Sequence, residues 1–168
     1  MIIEIALDDY DDIFSDFDIR EFDERIVSID FMEEVLRRIR RINTCPKKLQ
    51  ILLTVPKYKR RKKVERVVRG RILDIFKQRF SIYSRRIDDM KRKGFIHVFI
   101  GLAILIITYA IHESIFSDFL LVPSWFFTWN GLDILINELP SFYRKRDIFS
   151  CLSNAKIVFK NEEDVYED

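Results

Sequence analysis

Three polar residues inside an apolar run pose the first chemical question. Asn130, Asp133 and Asn137, at i, i+3 and i+7, set a carboxylate between two amides along one helical face. A lone carboxylate in lipid costs about 2.5 to 3.5 kcal/mol on insertion scales, so Asp133 is expected to face a partner helix, water or a neighbouring subunit, or to be protonated. His97, near the start of the preceding apolar run, is expected at roughly the depth of Asn137, within reach of Asp133 or Asn137. As chemistry the set offers a proton or ion site. The structural alternative is hydrogen-bonded glue between helices, or an acid close enough to the interface to be hydrated, and that is the commoner use of such residues. Two spans rarely enclose a pore, so transport would require an oligomer or a partner.

Two further clusters stand outside the apolar runs. The basic run Lys57, Lys59, Arg60, Arg61, Lys62 and Lys63 suits nucleic-acid phosphate or anionic lipid headgroups. The plainer reading, a solvated turn partly neutralised by an acidic arm, is preferred, which makes nucleic acid an unfavoured partner. A straight helix from Lys62 would also hold this turn about 45 Å from a membrane surface. Asp8 to Glu24 is that arm: acids interleaved with Tyr10, Phe14, Phe17 and Phe22, without a helical or strand period, read as an extended segment with aromatic contact residues. It has no glycine at the turn position and no terminal Glu at EF-hand spacing, so calcium is not expected. Two histidines and two distant cysteines make no zinc constellation, and the four glycines are too scattered to cradle a phosphate. No Ser, His and acid triad is recognisable. No enzyme activity, cofactor, metal or small-molecule substrate is therefore expected.

The elements that must position these residues are dominated by two apolar runs, Phe95–Ile111 and Phe119–Leu139. At about 1.5 Å per helical residue each crosses most of a roughly 30 Å hydrocarbon layer, which predicts a transmembrane helical hairpin. Trp125 suits an interfacial anchor, Trp129 a packing residue, and Gly101 a close helix approach. Arg85, Arg86, Lys91, Arg92 and Lys93 precede the first pass and Arg144, Lys145 and Arg146 follow the second, while the turn carries His112, Glu113 and Asp118 without Lys or Arg. The positive-inside rule places both termini in the cytoplasm of a multi-pass cell-membrane protein. Met1–Asp9 lacks the basic start of a signal peptide, so the hairpin itself is expected to direct insertion. The alternative is a soluble α+β protein with a buried helical pair.

A net charge of +2 among 168 residues hides acids concentrated before Glu34 and bases from Val35 to Lys93. Met1–Leu7 and Leu49–Val55 alternate as strands, the second ending at Pro56. Asp30–Ile42 reads as a helix with a capping box at Asp30 and Glu33 and a face of Phe31, Val35, Ile39 and Ile42. Lys62–Lys93 carries apolar residues at three-and-four spacing, which predicts a long amphipathic helix running into the first pass, with Gly94 as the place for a bend. Pro140 is expected to start a further helix, and Ala155–Phe159 a strand pairing with Leu49–Val55. The predicted fold class is α+β, a transmembrane hairpin with a discontinuous cytoplasmic cap. Residues 1–93 form the arm and an α+β segment, 94–139 the hairpin, 140–160 the helix and strand completing the cap, and 161–168 an acidic tail. Cys45 and Cys151 both fall on the cytoplasmic side, where thiols stay reduced.

The order of Asp11–Asp18, the Asp30–Ile42 helix and Trp125-x-x-x-Trp129-x-x-x-Asp133-Ile-Leu resembles a family of small uncharacterised prokaryotic two-span integral membrane proteins, over nearly the whole chain. The chain departs from that pattern at Gly131, where the family carries proline, and at Asp133, where it carries Glu. The resemblance implies architecture and compartment. Function is expected to be interaction or assembly, the cap meeting a protein partner or a second copy while the hairpin holds it in the lipid bilayer. Alternatives are a subunit of an ion or proton transporter using Asp133 and a membrane-tethered nucleic-acid binder.

Overall fold

A computed structural model describes residues 1–40, 46, 48–111 and 115–161. Contacts divide the chain into a sheet unit, Met1–Phe80 with Asp147–Asp168, and a hairpin unit, Ser81–Arg146.

The sheet unit is built on three parallel strands in the order β1, β2, β3: β1 is Ile2–Ala6, β2 Gln50–Val55 and β3 Lys156–Asn161. Ile3 pairs with Ile51 and Leu53 with Phe159, so the expected pairing of the second and third strands is present. β1 alternates as its sequence suggests, burying Ile3 and Ile5. β2 does not simply alternate. As the central strand of a parallel sheet it is buried on both faces, with Leu52 and Thr54 as enclosed as Ile51 and Leu53.

Because parallel neighbours need crossover connections, helices must lie between the strands. The first crossover contains α1, Ile29–Arg40, which buries Phe31, Val35 and Ile39. Its N-cap is Ser28, whose Oγ accepts the Phe31 amide proton at 3.0 Å, rather than the expected Asp30 box. The end predicted near Ile42 lies outside the described residues. The second crossover holds everything from α2 to α4. Helix α2, Lys62–Ala110, runs unbroken through Gly70 and Gly94, and in the sheet unit it buries Val68, Ile72 and Phe76 at i, i+4 and i+8. Phe149 and Leu152 of α4, Leu139–Ser153, complete this core.

In the hairpin unit α3, Ile115–Asp133, passes into α4 through a π-helical turn, Ile134–Glu138. Pro140 therefore begins no new helix. Its missing amide proton and its ring are accommodated by the wider turn, in which the Leu139 amide bonds five residues back to the Ile134 carbonyl. Mixed helix and strand is thus the observed class, with two helices long and apolar enough to cross a membrane.

Candidate functional site

The acidic arm is a closed loop, not an extended segment. Asp9 caps the short 3-10 turn at Tyr10–Ile13, and the Asp12 carboxylate accepts the Asp8 and Asp9 amide protons at 2.7 and 3.0 Å. Several of the acids therefore cap their own backbone. An antiparallel bridge between Phe14 and Val27 then closes the loop, through Ser15 N to Ile26 O at 2.8 Å and Ser28 N to Ile13 O at 2.9 Å.

Inside it, the Asp18 carboxylate accepts from Arg20 Nε and Nη2 at 2.9 and 2.7 Å, from the Ile26 amide at 2.8 Å and from the Arg20 amide at 3.3 Å. The Arg20 hydrogen bonds, reinforced by the Ile26 amide, hold the Asp18 carboxyl well below the usual carboxylate range. Arg25 bonds the Asp11 carboxylate and lies over the Phe14 and Phe22 rings, while Arg71 of α2 donates to the Arg25 and Glu24 carbonyls at 2.9 Å. The loop is thereby fixed to the helix.

This geometry corrects the expected contact set. Tyr10 and Phe14 are buried in the core, and Phe22 is half-buried against Phe14 at 5.5 Å between ring centroids. Only Phe17 faces outward, 98 % exposed, and with it stands Ile19 at 95 %, a residue the aromatic pattern did not flag. Buried Asp18 stands between these two exposed side chains. Between loop residues 20–25 and Lys63, Val64 and Val67 of α2 lies an open cleft of about 380 Å³.

The basic run is partly consumed by the fold. Lys59 pairs with Asp9 at 3.3 Å and donates to the Asp8 carbonyl at 3.0 Å, and the Asp9 carboxylate raises its pKa. Arg60 makes a two-pronged pair with buried Glu65 at 2.8 and 3.1 Å and also reaches the Asn161 side chain and the Phe159 carbonyl. Tyr10 completes this network, its hydroxyl donating to Glu65 at 3.3 Å and accepting the Arg61 amide at 2.9 Å, and burial pushes its pKa up. Lys62 and Lys63 remain exposed.

In the hairpin unit the two apolar helices meet through small residues. A methyl placed on Gly131 would lie 2.7 Å from the Gly94 carbonyl oxygen and 2.8 Å from the Val98 nitrogen; one on Gly101 would lie 2.6 Å from the Thr128 nitrogen. Ser124 Oγ donates to the Gly101 carbonyl at 2.9 Å. This antiparallel register also locates the polar set. Gly94 lies opposite Gly131 and Leu135, so Asp133 sits at the level of the Lys91–Lys93 end of the hairpin and Asn137 beyond it. His97 is instead level with Phe127, its ring 5.8 Å away, and its Nδ1 is 2.7 Å from the Lys93 carbonyl oxygen. The expected contact of His97 with Asp133 or Asn137 is therefore not made. Asn137 donates to Asp133 at 2.6 Å within one helix, and the Asn130 side chain makes no hydrogen bond among the described residues. Trp125 and Trp129 are both exposed, so Trp129 is not a packing residue.

Cys151 is buried and disulfide-bonded, against the expectation of a reduced thiol; Cys45 lies outside the described residues. Among the described residues no three His, Cys, Asp or Glu side chains gather as a metal site. Compared with family models, curated proteins and solved structures, the chain has no match in any of the three.

Proposed function

We propose that this chain is an integral membrane protein that holds its sheet unit at the cytoplasmic face of a bilayer and docks a protein partner through the loop tip at Phe17 and Ile19. The docking role is carried by one observation: two apolar side chains almost wholly in water, on either side of a carboxylate that is locked by four hydrogen-bond donors. Exposing two large apolar side chains on a rigid loop gains nothing for folding, and exposed apolar groups on a fixed scaffold are what a recognition surface presents. Asp16, Glu21, Asp23 and Glu24 are exposed around them, which suits a partner with an apolar pocket and a basic rim.

Membrane placement is supported by where the apolar surface goes. In each long helix only 17 % of the most apolar 18-residue stretch is buried, and Phe99, Ile106, Phe119, Val122 and Phe126 are exposed. A core helix of a soluble protein would bury such residues. The Lys and Arg flanks favour cytoplasmic termini, and the Cys151 disulfide, which a reducing cytosol does not maintain, is the observation that stands against that side. The transporter alternative gains no support, because Asp133 bonds within its own helix at the basic end of the hairpin.

Crosslinking in intact membranes tests the docking role. Phe17→Ala/Ile19→Ala is expected to abolish a specific crosslinked partner while the chain stays in the membrane pellet, with stability changed by less than about 0.5 kcal/mol. An unchanged crosslinking pattern would remove the loop from the interface.

A further inference from the structure

One face of the hairpin unit outside these sites is both cationic and unpartnered. Ile82, Arg85, Arg86, Asp89, Met90 and Lys93 line an open depression of about 420 Å³ on α2. At 3.6 residues per turn, Ile82, Arg86, Asp89, Lys93, Ile96 and Ile100 fall on one stripe of that helix, turned away from the Gly94, Val98 and Gly101 seam that meets α3. Three cations thus surround one acid, and that acid is already engaged, with Asp89 paired to Arg92 at 3.2 Å. Arg86 lies over the Phe142 ring at 5.5 Å, whereas Arg85 and Lys93 have no acidic partner among the described residues. The floor is apolar, supplied by Ile82 and Met90, and the stripe continues without a break into exposed Ile96 and Ile100.

We propose that this depression binds the headgroup of an anionic phospholipid, the phosphate held by Arg85, Arg86 and Lys93 and the first acyl carbons lying along Ile96 and Ile100. The inference rests on the membrane reading above. The arrangement fits an anion tethered to a hydrocarbon chain better than a free one, because the cations stop where the apolar stripe begins. Two guanidinium forks and one ammonium match phosphate oxygens, and Lys93 sits one turn before the lipid-facing isoleucines.

The test uses the full chain reconstituted in phosphatidylcholine vesicles containing a minor fraction of spin-labelled phosphatidylglycerol, with spin-labelled phosphatidylcholine as reference. The readout is the motionally restricted fraction of each lipid. Wild type is expected to prefer phosphatidylglycerol by about fivefold or more, a factor of roughly five being typical for each basic side chain near an anionic surface. Arg85→Gln/Arg86→Gln/Lys93→Gln is expected to lose most of that preference. Lys62→Gln/Arg66→Gln/Arg69→Gln, with the same loss of charge, is expected to keep it. Restricted phosphatidylcholine without a preference in wild type, or equal losses in both variants, overturns the headgroup site alone. Abolition of the preference by inorganic phosphate in the buffer makes the ligand a soluble anion and overturns the lipid assignment. Restriction of neither lipid overturns the membrane reading together with the site.

Discussion

Asp18 shows how a single side chain sets what its neighbours present. Its carboxylate collects donors from Arg20 and Ile26, and this clamp fixes the backbone on which exposed Phe17 and Ile19 stand at either side. Since these donors depress its folded pKa, the clamp contributes stability at every pH above the ordinary Asp value of about 3.9, and that contribution is lost only as pH falls through the lower folded value. Amide protection of loop residues 15–26, the intrinsic exchange rate at each pH divided by the observed one, is accordingly expected to stay constant from neutral to mildly acidic pH and to fall only in strong acid. Asp18→Asn should show the faster exchange already at neutral pH, and identical exchange in the two proteins would mean the clamp does not hold the loop. Glu65 makes a second residue-scale case. Removing it as Glu65→Ala takes away the two-pronged partner of Arg60 and the acceptor of the buried Tyr10 hydroxyl, which is expected to lower the denaturation free energy of the sheet unit by about 2 kcal/mol. Denaturant titration followed by circular dichroism measures it.

Among the elements, the long helices and the strands were legible because their apolar spacing is strong: Val68, Ile72 and Phe76 on α2, Ile3 and Ile5 on β1, and the two greasy runs. The arm was not, since residues 8–24 have no period. Their order comes from an Asp9 cap, a bridge at Phe14 and Val27 and a carboxylate clamp, all short-range polar contacts that leave no repeating apolar signature. The π-helical turn was hidden for a similar reason, Pro140 reading as a boundary when a wider turn absorbs it. The depth of His97 was misjudged because residue counting does not fix the register of a hairpin; the contact of Gly94 with Gly131 does. The same glycines yield a contrast that tests the packing. Gly131→Ala forces a methyl against the Gly94 carbonyl and the Val98 backbone and is expected to destabilise the hairpin by about 1 to 3 kcal/mol. Gly70→Ala meets nothing within 4 Å on an exposed helical face and is expected to stabilise by about 0.8 kcal/mol. Thermal unfolding in mild detergent, read by circular dichroism, separates the two, and shifts of the same sign would contradict the close approach.

At the scale of the whole molecule, the sheet constrains how many times the chain can cross a bilayer. β2 and β3 are hydrogen-bonded neighbours, yet everything between Val55 and Lys156 separates them in sequence, including both apolar helices. If those helices cross lipid, β2 and β3 can share a sheet only when the number of crossings is even, because an odd number would leave the strands on opposite sides. Sheet pairing requires only that β2 and β3 lie on one side of any bilayer the helices cross; the proposed choice of the cytoplasmic side rests on the Lys and Arg flanks. The consequence is measurable with compartment reporters. A reporter joined before Met1 and one joined after Asn161 are expected to give the same cytoplasmic signal, and one inserted between Ile111 and Ile115 the opposite signal. Deleting a single apolar run should keep the chain in the membrane pellet but move β3 away from β2, so that the sheet unit becomes open to protease. Should the two terminal reporters disagree in the intact chain, either β3 does not pair with β2 in the membrane-bound protein or one of the greasy helices does not cross, and protease resistance of the sheet unit would identify which.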